Sequence, residues 1–245
     1  MPPSSIVHFW NCEEGMGMYP DKFFGLTICD IPYGIGVGTM AFLKEVNTTV
    51  KQKNGTRINP NNNKGRKGYE HQSWDDKPPT QSYFDELCRV SKAQIIFGIE
   101  YVDWEGVGPG RIKWDKGFSE GVSFKQYEVA YCSLIDHEIE LPLLWAGMMQ
   151  AKSLSEPMVQ QGNKRLNEKR IHPCHKPVML YRKLLQDYAT PGDKILDTHL
   201  GGGSHRIAAY EMGFDFVAFE NNKKHYDDQE KRFANYKLQG NLFTI

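Results

Sequence analysis

The chain predicts an α/β fold with a mostly parallel central sheet and helices on both faces. Three stretches carry that prediction. Residues 23–29 form a nearly unbroken apolar run that stops at Asp30-Ile31-Pro32-Tyr33-Gly34. A strand apolar on both faces suits the interior of a parallel sheet. Residues 80–99 read as a helix and then a second buried strand, which with the first run makes a parallel crossover unit. Residues 194–220 repeat the theme as strand, glycine turn, helix, strand and acid.

The 245 residues suffice for one large α/β domain or two small ones. Without an internal repeat or a separating linker, a single domain spanning 1–245 is expected, with polar insertions at about 44–79 and 136–171. Net charge is zero, yet lysine and arginine outnumber acids eight to four over 44–77 and six to two over 151–176. Basic loops on a neutral body suit a groove for a polyanion; two solvated loops are the plainer alternative. The five cysteines are scattered without a CxxC pair, which favours a reducing compartment over a zinc ribbon or a disulfide framework. His172-Pro173-Cys174-His175 is spaced too tightly for tetrahedral chelation, so no metal is expected. No charged-then-apolar leader opens the chain, and no apolar run approaches the roughly 20 residues of a membrane span. The expectation is a soluble cytoplasmic protein with no membrane partner.

In order, residues 1–22 are short and polar, with a small strand at 7–10. The strand at 23–29 delivers Asp30 and Tyr33 to the carboxyl edge of the sheet, where open α/β folds place their ligand crevice. A long polar segment follows to about residue 79, its Asn, Gly, Lys and Arg content leaving little apolar surface to bury. The helix over 80–90 repeats Tyr83, Phe84, Leu87 and Val90 at helical spacing, with Thr80 or Ser82 as its cap. Residues 94–99 form a strand, 106–110 a glycine-rich turn, and 127–132 another strand, antiparallel to its neighbour. From 136 to 170 no clear period emerges. Residues 176–188 give the clearest amphipathic helix. The last elements are a strand at 194–197, a helix at 205–212, a strand at 214–219 and a helix over 223–238, leaving only 241–245 for a further strand.

Two loops then define one site. An acid beside a flat ring, Asp30 with Tyr33, suits a planar heterocycle that carries an amino group. Glycines at a strand-to-helix turn let a ligand approach the backbone and the helix N-terminus. Glu220 stands 19 residues past Gly201, placed to accept both hydroxyls of a ribose. The turn reads Gly201-Gly202-Gly203-Ser204-His205-Arg206 and lacks the third glycine of a dinucleotide loop. The spacing therefore favours S-adenosylmethionine or a simple nucleotide.

Asp30-Ile31-Pro32-Tyr33 resembles the (D/N/S)PP(Y/F) motif of DNA amino-methyltransferases, and residues 197–203 resemble their DxFxGxG cofactor motif. His172-Pro173-Cys174-His175-Lys176-Pro177 resembles their HPxxKP element. The order, catalytic motif first and cofactor loop last, is similar to the β group of N6-adenine DNA methyltransferases, phage and mobile-element members in particular. The resemblance implies a Rossmann-like, S-adenosylmethionine-dependent methyltransferase fold with circularly permuted motif order. It implies methyl transfer to the exocyclic amine of a flipped-out adenine. Tyr33 stacks on the base, Asp30 and the Ile31 carbonyl accept the amine hydrogens, and Pro32 fixes their geometry.

For the cofactor, the resemblance implies a shell of Cys29, His172, Asp197, Thr198, His199, Gly201, Gly202, Gly203, Ser204, Glu220 and Asn221, with Lys176 on the methionine carboxylate. Lys64, Arg66 and Lys67 of the first insertion, and Lys164 and Arg165 of the second, are the expected contacts to double-stranded DNA. A homodimer on DNA and a cognate restriction endonuclease are further partners that the resemblance admits. Ile31, His199, Gly202, His205 and the Cys174-His175 pair depart from the usual residues. The alternatives are the same chemistry on cytosine N4 or on RNA, and a cofactor-binding DNA-binding module without catalysis. A nucleotide-dependent oxidoreductase is disfavoured by the poor dinucleotide loop.

Overall fold

The computed structural model describes residues 2–35, 50–51, 57–58, 77–118, 125–172 and 174–241. The chain divides into two compact units, Met1–Ile31 with Pro79–Ile245, and Pro32–Pro78. In chain order the elements are β1 (Ser5–His8), α1 (Cys12–Met16) and β2 (Phe24–Asp30), then β3 (Val50–Lys51) and β4 (Arg57–Ile58) in the second unit. The first unit resumes with α2 (Gln81–Val90), β5 (Ser91–Phe97), β6 (Arg111–Asp115), β7 (Tyr127–Cys132), β8 (Glu138–Pro142), β9 (Trp145–Ala146) and β10 (Met149–Gln150). It closes with α3 (Val178–Tyr188), β11 (Lys194–Asp197), α4 (Ser204–Glu211), β12 (Asp215–Phe219) and α5 (Lys223–Asn241).

Among the described residues, eight strands form one sheet in the order β1-β12-β11-β2-β5-β7-β6-β8. The first five are mutually parallel, β7 runs against both β5 and β6, and β6 is parallel to β8. Seven strands thus share one direction and β7 is reversed. The alternation of side chains builds a core on each face. Ile28, Ile95, Phe97, Ile195 and Phe216 pack with Leu180, Leu184 and Leu185 of α3 and Ala208 and Ala209 of α4. Cys29, Ile96, Leu196, Val217 and Phe219 pack on the other face with Met16 of α1 and Tyr83, Phe84 and Leu87 of α2. The edge beyond β12 is filled by β1, paired in register from Ser5↔Phe216 to His8↔Phe219.

Several local expectations shift. Thr80 holds the N-cap position of α2, but its hydroxyl bonds the Ser82 hydroxyl at 2.8 Å rather than a backbone N–H. The segment without a clear period contains β8 and a β9–β10 hairpin, strands too short for alternation to show. In the second unit, β3 and β4 pair antiparallel, Val50↔Ile58 and Lys51↔Arg57, where sequence reading gives only a polar loop. There Gly34 has φ +70 and a Cβ on it would lie 2.6 Å from Pro78 Cδ, so both conformation and space call for glycine. No helix among the described residues is long and apolar enough to cross a membrane.

Candidate active site

The site forms where two neighbouring parallel strands send their chains in opposite directions. After β2 the chain passes through α2 to β5, and after β11 it passes through α4 to β12, on the other side of the sheet. β2 and β11 lie side by side, with Leu26 level with Ile195 and Thr27 with Leu196. Their carboxyl ends therefore flank a topological switch point, the place where an open α/β sheet leaves a crevice. One side supplies Asp30 and Ile31, and the other supplies Asp197 and the glycine turn.

The turn is built around two buried acids. Asp197 Oδ1 accepts the His199 N–H at 3.0 Å, and Oδ2 lies 3.0 Å from His205 Nδ1, so this carboxylate fixes the start and end of the loop. Glu220, at the end of β12, accepts the Gly201 N–H at 2.9 Å and the Asn222 N–H at 2.8 Å. Burial raises its carboxyl to about 7 in spite of those N–H donors. Gly201 and Gly203 have φ of +54 and +74, which favour glycine, and the latter is the N-cap of α4. A Cβ on Gly202 would fall 2.6 Å from His175 Nδ1. A cradle of bare backbone, a helix N-terminus and a buried acid at the adjoining strand end fit an adenosine-type cofactor.

Across the switch point, Lys176 grips the end of β2. Its ammonium lies 2.5 Å from Asp30 Oδ2, 3.0 Å from Glu128 Oε2 and 4.8 Å above the centre of the Phe97 ring. The side chain is 4% exposed. Burial disfavours its charged form, but the two carboxylates outweigh that and hold the lysine above its ordinary value. Glu128 reaches on to Lys116 at 3.0 Å; burial pushes its carboxyl up, but the two lysines prevail and hold it at about 2. Sequence reading sets Lys176 on the methionine carboxylate. In the structure it is engaged with Asp30 and Glu128, the carboxylate partners that an ammonium so deeply buried needs.

Glu168 is a second hub. Its Oε1 lies 2.7 Å from His175 Nε2 and accepts from Ser204 Oγ at 3.1 Å and Arg232 at 2.6 Å, while Oε2 accepts the Val178 N–H at 3.0 Å. It thus caps α3, whose own N-cap is the proline Pro177, and ties the 164–171 stretch to the glycine turn. Arg232 also donates to the Gly202 carbonyl at 2.5 Å. His172 packs edge-on to His225 at 4.4 Å and lies beside Gly201. Burial, joined by the neighbouring His225, keeps His172 neutral.

Cys29 and Thr198 turn toward the α1/α2 face. Cys29 Sγ lies 3.6 Å from the Tyr83 hydroxyl, which lies 2.6 Å from Thr198 Oγ1, which in turn lies 2.9 Å from His199 Nδ1. Burial depresses His199 to about 4, so it serves as a flat neutral ring packed against Tyr83. Asn221 is exposed beside Glu220, and Ser204 is buried as the first residue of α4. Lys164 and Arg165 are exposed on a short 3-10 turn, Lys164–Leu166. Lys64, Arg66 and Lys67 lie outside the described residues, and Pro32 and Tyr33 belong to the second unit. Sequence reading misses Glu128, Lys116, Glu168, Arg232 and Tyr83. For Glu128 a signal existed: an acid inside an otherwise apolar strand, Tyr127-Glu128-Val129-Ala130.

Seven co-directional strands with one reversed, and a glycine turn facing an acid across the switch point, define the class: this is the α/β fold of S-adenosylmethionine-dependent methyltransferases. M1.HpyAVI, solved as a complex with SAM, has TM-score 0.51 and 14% identity over 93% of this chain and 98% of that one. The PvuII DNA methyltransferase, cytosine-N4-specific, has TM-score 0.52 and 10% identity over 95% of this chain and 87% of that one. At such identities the likeness is one of fold. The family follows from the sequence itself: the N6/N4 DNA methylase model matches residues 41–231, and the chain belongs to that family of DNA amino-methyltransferases.

Proposed function

We propose that this protein transfers a methyl group from S-adenosylmethionine to the exocyclic N6 amine of adenine in double-stranded DNA. The observation that carries the reading is the placing of Asp30 and the glycine turn on adjacent parallel strands, on either side of the switch point. Bound S-adenosylmethionine supplies an electrophilic methyl on a sulfonium. The known complex of a similarly folded protein, M1.HpyAVI, with SAM supports that choice of cofactor.

The chain's own residues do the rest. Gly201, Gly202 and Gly203 admit the cofactor against the backbone, and Glu220 receives its ribose hydroxyls. Asp30 and the Ile31 carbonyl accept the two hydrogens of the target amine, drawing its lone pair out of conjugation. Catalysis is then positioning and electrostatics. Tyr33 stacks on the flipped base, a contact worth about 1–3 kcal/mol. An acid rather than a serine at position 30 is the reason to place adenine ahead of cytosine. Lys164 and Arg165, exposed beside an anchored loop, suit phosphate contacts, which position the duplex without reading it.

The test is transfer of labelled methyl from S-adenosylmethionine to unmethylated genomic DNA, followed by nucleoside analysis. Label in N6-methyladenine is expected. Label in N4-methylcytosine would keep the chemistry and overturn the base, and no label in DNA would overturn the function.

A further inference from the structure

The charged chain around Lys176 has a geometry that the registers explain. Asp30 of β2 is level with Phe97 of β5, which is level with Ala130 of β7. Levelled residues share a face, so Asp30 lies on the face of Phe97 and Ala130, the one covered by α3 and α4. Because β7 is reversed, Glu128, two residues before Ala130, stands on that same face just beyond the carboxyl edge. Asp30 and Glu128 are two strands apart, about 10 Å. Lys176, reaching in ahead of α3, bridges the two side chains: it lies over Phe97 of the strand between, with an acid on either side.

We propose that Glu128 is a positioning residue for methyl transfer, acting on Asp30 through Lys176. The proposal rests on Asp30 being the acceptor for the target amine. A lysine paired with Asp30 alone would draw fully onto it and blunt the carboxylate as a hydrogen-bond acceptor. Glu128 takes a share of the ammonium, and Lys116, 3.0 Å away, anchors Glu128 in turn. The two acids and two lysines leave no net charge in the cluster, so Asp30 is held in place by Oδ2 and keeps its acceptor strength. Glu128 contacts no part of the glycine turn, and the effect falls on the amine side of the reaction.

The experiment compares E128Q, E128Q/K116M and D30N, with methyl transfer to unmethylated genomic DNA over a range of S-adenosylmethionine concentrations and cofactor Kd by calorimetry. E128Q is expected to lower kcat by about 10- to 100-fold, as misplacing a catalytic group does. KM and Kd for the cofactor are expected to stay within about twofold of wild type. The double variant removes both ends of the Lys116–Glu128 pair and covers the case in which E128Q leaves Lys116 unpaired and fails to fold. Its kcat is expected to stay low. A kcat near wild type in either folded variant, or a loss confined to cofactor KM and Kd, would overturn the proposal. D30N separates the two readings. D30N inactive with E128Q active overturns the role of Glu128 alone; D30N fully active overturns the role of Asp30 and this proposal with it.

Discussion

Gly202→Ala isolates the need for space in the cofactor turn, because Gly202, unlike its neighbours, has no left-handed φ to confound it. The added Cβ would stand 2.6 Å from His175 Nδ1 and 3.0 Å from Cε1, where an ordinary contact begins near 3.4 Å. The ring must retreat by about 0.8 Å from that shortfall, or the turn must. The ring is fully buried and fixed by Glu168 at 2.7 Å and Ser204 at 3.0 Å. A retreat on that scale breaks at least one hydrogen bond to a charged group, at about 1.5–3 kcal/mol. Overpacking adds about 1–3 kcal/mol. The sum is about 2.5–6 kcal/mol, or roughly 5–24 °C in Tm for a chain of this size. Gly213→Ala is the control: φ is +81 and nothing lies within 4 Å of its Cβ, so only backbone strain of about 1–2 kcal/mol applies. Thermal unfolding and calorimetry of S-adenosylmethionine binding on both variants decide the matter. G202A is expected to lose more stability than G213A and to weaken the cofactor at least tenfold, with G213A binding as wild type. Equal Tm shifts, or unchanged affinity in G202A, would refute the reasoning that the turn is shaped by His175.

Other perturbations probe the rest of the site. Glu220 titrates near 7 because it is buried, so ionising it in the fold costs stability between the ordinary carboxylate range and pH 7, roughly 3 kcal/mol at the top of that window. Ribose hydroxyls donate to the ionised form, so cofactor affinity is expected to rise with pH up to about 7 and then level off; E220Q should flatten that profile in calorimetry. Glu168→Ala strands Arg232 and uncaps α3, and urea unfolding is expected to show a loss of about 3–5 kcal/mol. Glu168 is held below its ordinary value by His175 and Arg232 against the opposing effect of burial, so its contribution is present above the ordinary carboxylate range and fades as pH falls through its lowered value. Replacing Lys164 and Arg165 with alanine is expected to flatten the slope of log K for DNA against log salt by about 2, without changing which nucleoside is methylated.

The strands and helices were legible where the physical signal is local. The apolar run of β2 declares a strand buried on both faces, and the spacing of Tyr83, Phe84 and Leu87 declares one face of α2. The amphipathic helix expected from residue 176 begins at Val178, because Pro177 lacks an amide hydrogen and takes the cap position instead. Asp197, Glu220 and the glycine turn were legible because strand, turn and acid recur at a fixed spacing. The charged chains were not. Lys176 meets Glu128, and Glu168 meets Arg232, only after sheet and helices have brought distant segments together. The reversed direction of β7 was expected, but which distant side chain meets Glu128 is set by register and by the segment ahead of α3, which no local pattern encodes.

The unusual residues of the motifs bear on whether the site is maintained or decaying. A degraded pocket accumulates buried polar groups without partners, each costing about 1–3 kcal/mol. Here the substitutions are answered one by one. His175 meets Glu168 and Ser204, and His199 meets Thr198. His205 places Nδ1 on Asp197 and its ring 4.6 Å from Tyr181, stacked. Among these three rings, the His205 Nε2 is the one buried nitrogen without a partner among the described residues. Ile31 keeps a backbone carbonyl whatever its side chain, and that side chain is buried in the core beneath β2. His175, His199 and the Nδ1 side of His205 thus have partners in the fold. A module kept only for binding would have no use for Asp30, a carboxylate held by a buried lysine at the sheet edge. That charged setting argues for catalysis over binding alone.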